Sequence, residues 1–299
     1  MFTRLLIPLD GSKTAEQVLP WARAFAESFK LPVVLLAVID VERLLTSADL
    51  ARHFDKLVGQ STRDSKTYLE RISGRFVGRS VRRSIAQGSA AEVIVNKAEA
   101  YKTTLIAMTT HGRSGLNRWL LGSVAEKVLR ATTNPVLLVR ADHQGEANQV
   151  ASLTSMIVPL DGSELAETVL PTVIRISKKL RLEVFLIRVY SNPYSGFTSG
   201  GGHYTVNVDE LMYDIRDQAR NYLEAKMAEL TKRGVEQVSY LCQEGIAADE
   251  IVAMADQTAE SLVVMCSHGR TGVKRWALGS VAETVVRHST RPVLVLRGV

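Results

Sequence analysis

Two stretches of the chain repeat each other closely. The segment His111–Ser123 reads HGRSGLNRWLLGS and recurs at His268–Ser280 as HGRTGVKRWALGS, with nine of thirteen positions identical. Earlier in each half, LLIPLDGSKTAEQVL starts at Leu5 and MIVPLDGSELAETVL starts at Met156. The period is far too long for a solenoid repeat, so the chain is predicted to hold two copies of one domain.

The spacing of the repeats indicates where the copies meet. Matching positions are 151 residues apart in the earlier pair and 157 apart in the later pair, so the second copy carries an insertion, for which 191–204 is the candidate. At about 100–200 residues per domain, 299 residues suit two domains. The polar composition of 141–152 is typical of a linker. We predict domain 1 at 1–142, a linker at 143–152 and domain 2 at 153–299.

Apolar runs alternate with helical stretches within each copy, which predicts a doubly wound α/β domain with a five-stranded parallel sheet and helices on both faces. In copy one the predicted strands are RLLIPLD, PVVLLAVI, SVRRSIAQ, TTLIAMT and PVLLVR. The polar face of SVRRSIAQ indicates a place near an edge of the sheet. The predicted helices run from Ser12 to about Lys30 with a kink at Pro20, through a stretch ending near Arg75, over 89–100, and from Gly122 to about Ala131.

Composition narrows the class of protein. The net charge of +6 is mildly basic and favours anionic ligands, but the basic residues are spread out, so a nucleic-acid partner is not expected. The two cysteines, Cys242 and Cys266, form neither a disulfide framework nor a zinc motif and suit reduced thiols in a cytosol. The apolar runs are too short for a signal peptide or a membrane span, so we expect a cytoplasmic protein.

The repeated loop carries the chemistry of an anion site. Gly112, Gly115 and Gly122 allow the backbone to pass close to a ligand, and the helix that opens at Gly122 presents free N–H groups to phosphate. Ser123 could donate to a phosphate or bind a magnesium ion, and Arg113 adds a cation. The loop predicts a polyphosphate cradle, while a simple turn in which Ser123 only caps the helix stays an alternative.

Two further residue types recur at the expected sheet edge. Asp10 and Asp161 end the first strands, where each could contact an adenine or ribose edge or simply form a turn before the next helix. His111 and His268 precede the loop glycine, and with no Ser-His-Asp order or G-x-S-x-G motif we interpret them as structural. No catalytic residue is predicted.

The residues that carry these features resemble a known family. The strand-end PLDGS, the loop THGRSGLNRWLLGSVAEKVL and the closing NPVLLVR, each present twice with small changes, are similar to the universal stress protein family. Its nucleotide-binding members carry G-x2-G-x9-G-[ST]. Gly112 with Gly122 fits the second half of that motif, whereas Thr109 and Cys266 stand at the first glycine in the two copies.

The resemblance implies strand order 3-2-1-4-5 in each domain, ATP with a Mg or Mn ion as cofactor, and pairing of the two domains through strand 5, with a homodimer as a further option. Ser123 and Ser280 are the candidate metal ligands. Together with the loop residues, the expected ATP-binding set in domain 1 is Asp10, Val38, Gly88, Gly112, Arg113, Gly115, Gly122, Ser123 and Val124. In domain 2 the set is Asp161, Val189, Gly245, Gly269, Arg270, Gly272, Gly279, Ser280 and Val281.

The implied function is an ATP-binding regulatory protein of the stress response, with one nucleotide site per domain and little or no catalysis. A slow ATPase or phosphotransferase is one alternative. A nucleotide-free interaction scaffold is another, motivated by the residues at the leading glycine position.

Overall fold

A computed structural model describes residues 2–40, 54–101, 103–110, 121–141, 150–192, 208–267 and 278–297. They form two compact units, most of the first from 1–152 and most of the second from 153–293. The predicted linker falls largely outside the described residues, so its limits stay a prediction.

The elements follow the order expected from the sequence. The first half contains β1 (Arg4–Pro8), α1 (Lys13–Glu16), α2 (Leu19–Phe29), β2 (Val33–Ile39), α3 (Phe54–Ser73), β3 (Val81–Gln87), α4 (Ala90–Glu99), β4 (Thr104–Thr109), α5 (Ser123–Ala131) and β5 (Val136–Val139). The second half contains β6 (Ser155–Pro159), α6 (Glu164–Glu167), α7 (Leu170–Leu180), β7 (Glu183–Tyr190), α8 (Val208–Lys232), β8 (Val238–Glu244), α9 (Ala247–Gln257), β9 (Ser261–Cys266), α10 (Ser280–His288) and β10 (Val293–Leu296).

The strand order confirms the predicted topology in each half. The first half has the order β3-β2-β1-β4-β5 with parallel pairing throughout. The second has the matching order β8-β7-β6-β9-β10, with β6 parallel to β7 and β9, and β7 parallel to β8. The central strand β4 is buried along its length, whereas every residue of β3 is half-buried or exposed, in agreement with its predicted edge position.

Proline splits the first helical stretch of each half. The predicted helix from Ser12 to Lys30 is two helices, because α1 ends at Glu16 and α2 begins at Leu19. Pro20 has no N–H to donate to the carbonyl four residues earlier, and its ring would collide with that carbonyl. As the second residue of α2 it needs no such bond.

Helices cover both faces of the sheet in the second half, as side-chain alternation along β7 demonstrates. Val189 lines a cavity together with Ala247 of α9. The next side chain along the strand, Arg188, has its guanidinium carbon 4.8 Å from the ring centroid of Tyr222 in α8. Successive side chains of a strand point to opposite faces, so α8 and α9 lie on opposite sides of the sheet.

A buried carboxylate ties the short helix α1 to the long helix α3. Glu16 is only 1% exposed and lies 2.7 Å from Arg71 Nη2 and 3.1 Å from Arg75 Nη2. The hydrogen bond to Glu16 raises the pKa of Arg71. A carboxylate this deep is tolerated only when paired, so α1 and α3 depend on each other for their placement.

Glu16→Gln, which keeps the shape but removes the charge, is expected to lower the free energy of unfolding by about 2 kcal/mol, because both arginines lose their partner. The shift of the urea unfolding transition, followed by circular dichroism at neutral pH, measures this. Glu70→Gln is the matched control, since Glu70 also pairs with an arginine, Arg83, but is 59% exposed. The control should shift the free energy by about 0.5 kcal/mol or less. Equal shifts in the two variants would contradict the role given to burial.

Candidate functional site

A cavity of about 230 Å³ lies in the second half at the carboxyl ends of β6, β7 and β9, beside the first turn of α10. Five of the residues predicted from the sequence line it together, namely Asp161, Val189, Gly279, Ser280 and Val281. They come from three separate segments of the chain. Ligands in open parallel sheets bind at this edge, where the strand order reverses.

One side of this cavity is apolar. Ile187 and Met265 contribute from β7 and β9, and Ile251 contributes from α9. None of these three residues was predicted from the sequence, although Ile187 lies two positions before Val189 and therefore on the same face of its strand. An apolar slot of this kind suits a flat aromatic group such as a nucleobase.

The turn after β6 places a carboxylate at the cavity. Asp161 Oδ1 accepts hydrogen bonds from Ser163 N at 2.9 Å and Ser163 Oγ at 2.6 Å. Ser163 Oγ in turn accepts from Ala166 N at 3.1 Å and caps α6. Gly162 has a φ of +87°, which the turn requires and glycine adopts without strain. Asp161 therefore forms the turn and also lines the cavity, so the two interpretations of this residue are compatible.

The first turn of α10 presents backbone donors at the cavity. Gly279 N donates to Ser267 O at 2.8 Å, and Glu283 N makes the first bond back into the helix, to Gly279 O at 2.8 Å. The N–H groups of Ser280, Val281 and Ala282 precede that bond and have no partner within the helix. Together with the helix dipole they favour an anion at this position.

The predicted glycine after the third strand has a structural role at the same edge. Gly245 N donates to Tyr190 O at 3.0 Å, which closes the sheet edge after β8. Its φ is +152°, and a methyl group at this position would lie 2.6 Å from Glu250 Oε1. Gly245 is not among the residues that line the cavity, whereas Ala247, two residues later, is.

The first half repeats the backbone geometry of this edge. Asp10 Oδ1 accepts from Ser12 N at 3.0 Å and from Ser12 Oγ at 2.6 Å. Gly122 N donates to Thr110 O at 2.5 Å, and Gly122 is the N-cap of α5 with no side-chain cap. Gly88 N donates to Ile39 O at 3.1 Å, which matches the bond from Gly245 N to Tyr190 O in the second half. Ser123 is thus the first residue within α5, and the alternative in which it caps the helix is wrong.

The residues at the leading glycine position of the motif end the fourth strand of each half. Thr109 and Cys266 are buried, at 7% and 6% exposure. Cys266 lines the cavity, and its Sγ lies 3.9 Å from Thr168 Oγ1. The departure from the family motif therefore falls on the wall of the cavity.

Part of the predicted site lies outside the described residues. This holds for the loop residues Gly112, Arg113, Gly115, Gly269, Arg270 and Gly272 and for the two histidines His111 and His268. Val38 and Val124 of the first half are described, Val38 at the carboxyl end of β2 and Val124 in the first turn of α5.

The described residues contain neither a cluster of metal-binding side chains nor a membrane-spanning helix. No three His, Cys, Asp or Glu side chains in the described ranges are grouped so that they could hold a metal ion. Within those ranges, no helix has the length and apolar character needed to cross a membrane.

Comparison with known proteins agrees with the geometry. The family model described as the universal stress protein family matches residues 1–140 and 153–297. The universal stress protein MJ0531 of Methanocaldococcus jannaschii is 34% identical over 143 residues, which is 48% of this chain and 81% of that protein. The universal stress protein Rv2623 of Mycobacterium tuberculosis is 24% identical over 311 residues, covering 98% of this chain and 96% of its own length.

A solved structure supports the fold over the full length. The crystal structure of a universal stress protein from Archaeoglobus fulgidus matches with a TM-score of 0.71 and 22% identity, covering 99% of both chains. The duplicated sequence, the repeated topology and the two family matches agree. The chain therefore belongs to the universal stress protein family and carries two tandem copies of its domain.

Proposed function

We propose that the protein binds ATP, one molecule in each domain, and acts in the cytoplasm as a regulator of the stress response with little or no catalysis. The observation that carries this proposal is the cavity of the second domain, in which an apolar slot ends at the open first turn of α10. A slot for a base beside donors for a phosphate is the pairing of surfaces that a nucleotide needs.

Each part of the cavity would contact a different part of the nucleotide. The side chains of Ile187, Val189 and Ile251 would enclose the adenine, and Asp161 lies where it could accept a hydrogen bond from the base or the ribose. At about 230 Å³ the cavity is smaller than the roughly 300–1,000 Å³ of common ligand pockets, so it would enclose only part of ATP. The phosphates would extend along Ser280 and Val281 at the first turn of α10.

A Mg or Mn ion would depend on the phosphates for its binding. The Ser280 hydroxyl at the cavity is a hard oxygen donor of the type that Mg²⁺ prefers, and Ser123 is the equivalent residue in the first domain. One hydroxyl does not complete an octahedron, so phosphate and water would supply the other ligands. Bound there, the ion would neutralise phosphate charge.

The cavity wall supports binding rather than turnover. Among its described residues only Asp161 and Cys266 carry ionisable side chains, and Asp161 already accepts two hydrogen bonds through Oδ1. No described residue of the wall is a histidine or lysine that could act as a general base or stabilise a leaving phosphate. A slow ATPase would need groups from the loop that lies outside the described residues.

The repeated strand-5 sequences, PVLLVR and PVLVLR, support a further part of the proposal. We propose that the two domains of one chain pair through strand 5, as the resemblance to the family implies. Sedimentation velocity distinguishes a monomeric chain from the alternative, a homodimer.

Cys266 offers a reporter of the second site alone. In a Cys242→Ser background Cys266 is the sole thiol, and ATP is expected to slow its alkylation by iodoacetamide about tenfold when its concentration is ten times the dissociation constant, because the ligand covers the cavity wall. Mass spectrometry of the modified peptide gives the rate. The Cys266→Ser variant is the control, since alkylation of Cys242 should not respond to ATP. Unchanged alkylation of Cys266 would contradict nucleotide binding in this cavity.

Filling each site in turn tests for two nucleotides per chain. Isothermal titration calorimetry is expected to give two ATP molecules per chain for the wild type. Val189→Trp should leave one, because the indole occupies the slot of the second domain, and Val38→Trp should leave one by the same effect in the first. A stoichiometry of zero for the wild type, together with no nucleotide released from the denatured protein, would favour the nucleotide-free scaffold suggested by Thr109 and Cys266.

Catalysis is expected to be negligible. With ATP and Mg²⁺, phosphate release should be no faster than in buffer, both for the wild type and for Ser123→Ala combined with Ser280→Ala, because the single carboxylate of the described wall, Asp161, is engaged in the turn through Oδ1. A colorimetric phosphate assay over several hours measures this. Release above the buffer rate that disappears in the double variant would support the slow ATPase instead.

A further inference from the structure

An arginine supports the Asp161 turn from beneath in the second domain. Arg188 stands within β7, in an otherwise largely apolar run. A methyl group added to Gly162 would lie 3.2 Å from each of Arg188 Cζ, Nη1 and Nη2. Three nearly equal distances mean that the plane of the guanidinium faces Gly162. The arginine thus fills the space that a side chain at this glycine would take.

An aromatic ring lies close to the same guanidinium. Arg188 Cζ lies 4.8 Å from the ring centroid of Tyr222, within the range of a cation–π interaction. The Tyr222 hydroxyl donates to Glu167 Oε1 at 2.9 Å, and Lys226 Nζ donates to Glu167 Oε2 at 2.6 Å. Glu167 is the last residue of α6. The short helix α6 is therefore held at its start through Gly162 and at its end through Glu167.

The charged side chains of Asp161, Glu167 and Arg188 all act on the phenol of Tyr222. Burial and then the hydrogen bond to Glu167 raise the pKa of Tyr222 well above its usual range. The carboxylate of Asp161 adds to that rise, and the guanidinium of Arg188 opposes it. Tyr222 stays protonated at neutral pH and keeps its role as a hydrogen-bond donor. Asp161 and Arg188 are thus electrostatic neighbours of the same group.

The matching strand position of the first domain carries no arginine. Ala37, 151 positions before Arg188, occupies this place in β2 and is buried. There Glu16 is paired with Arg71 of α3 and with Arg75, which follows α3, and the hydroxyl of Tyr68 makes no hydrogen bond to the described residues. The end of the short helix is held in both domains, whereas among the described strand residues it is Arg188 of the second that places a guanidinium against the turn.

We propose that Arg188 is a positioning residue that holds the Asp161–Ser163 turn in its binding geometry, so that the second domain offers a more preorganised nucleotide site than the first. This inference rests on the proposed nucleotide site. A turn that is already ordered costs less free energy to fix when a ligand binds, which lowers the dissociation constant. Arg188 faces away from the cavity and acts only through the turn.

Hydrogen exchange of the ligand-free full chain tests the turn directly. In Arg188→Ala the amides of Ser163 and Ala166, both bonded to side chains of the turn, should exchange about tenfold faster than in the wild type. Arg188→Lys keeps the charge and the aliphatic stem but loses the planar face, so it should give a smaller increase. Arg233→Ala is the control, since Arg233 follows α8 and pairs with Glu229, and the two side chains are 44% and 40% exposed.

Protection of Cys266 by ATP, in the Cys242→Ser background, tests the consequence for binding. The ATP concentration that gives half protection should rise about tenfold in Arg188→Ala, less in Arg188→Lys, and not at all in Arg233→Ala. Equal exchange and equal protection in Arg188→Ala and Arg233→Ala would overturn the inference. Absence of protection in the wild type would instead refute the nucleotide site itself, and the two failures are therefore distinguishable.

Discussion

Right-handed crossover connections between parallel strands determine where each domain can bind a ligand. From β1 the chain winds to β2 and β3 on one side and then returns to place β4 and β5 on the other. The helices that follow β1 and β4 consequently diverge at the carboxyl ends of the strands. The Asp10 turn and the start of α5 both stand at this opening, and the second domain repeats the arrangement with a cavity. The rest of the candidate site is built onto that opening.

The two domains keep a glutamate at the end of their first short helix, but different residues bind it in each domain. Glu16 and Glu167 end equivalent helices, yet one is bound by two arginines and the other by a tyrosine and a lysine. Glu16 is buried and Glu167 is 28% exposed, and removal from water, complete or partial, makes a carboxylate require partners without specifying which residue provides them. A nearby position on the long helix can supply the donor, so the requirement is conserved while the donor varies.

The donors that bind carbonyl groups near the ends of the equivalent helices α4 and α9 also differ between the domains. In the first domain Arg4 donates to the carbonyl of Lys97 and to Thr104 Oγ1. In the second domain serine occupies the position of Arg4, and Arg291, which precedes β10 on the opposite edge of β9, donates to the carbonyl of Ala255 at 3.3 Å. The last carbonyls of a helix need donors, and an arginine can reach them from either neighbouring strand. Such replacements are visible only once the fold brings distant segments together.

Local patterns in the sequence were enough to predict the duplication, the ten strands and the edge position of β3, because these depend on residue periodicity and on short motifs. The order of the strands was predicted from the resemblance to the family. Local patterns also predicted that Asp161 and Ser280 lie at one edge of the sheet, the family resemblance added Val189, and all three line the cavity. The apolar wall made by Ile251 and Met265, and the guanidinium of Arg188 beneath Gly162, came from the tertiary structure alone. These contacts join residues that are far apart in the chain. A strand end or a helix turn could have many different partners, and the length and packing of the side chains decide which partner it has. The periodicity of the sequence does not encode that choice.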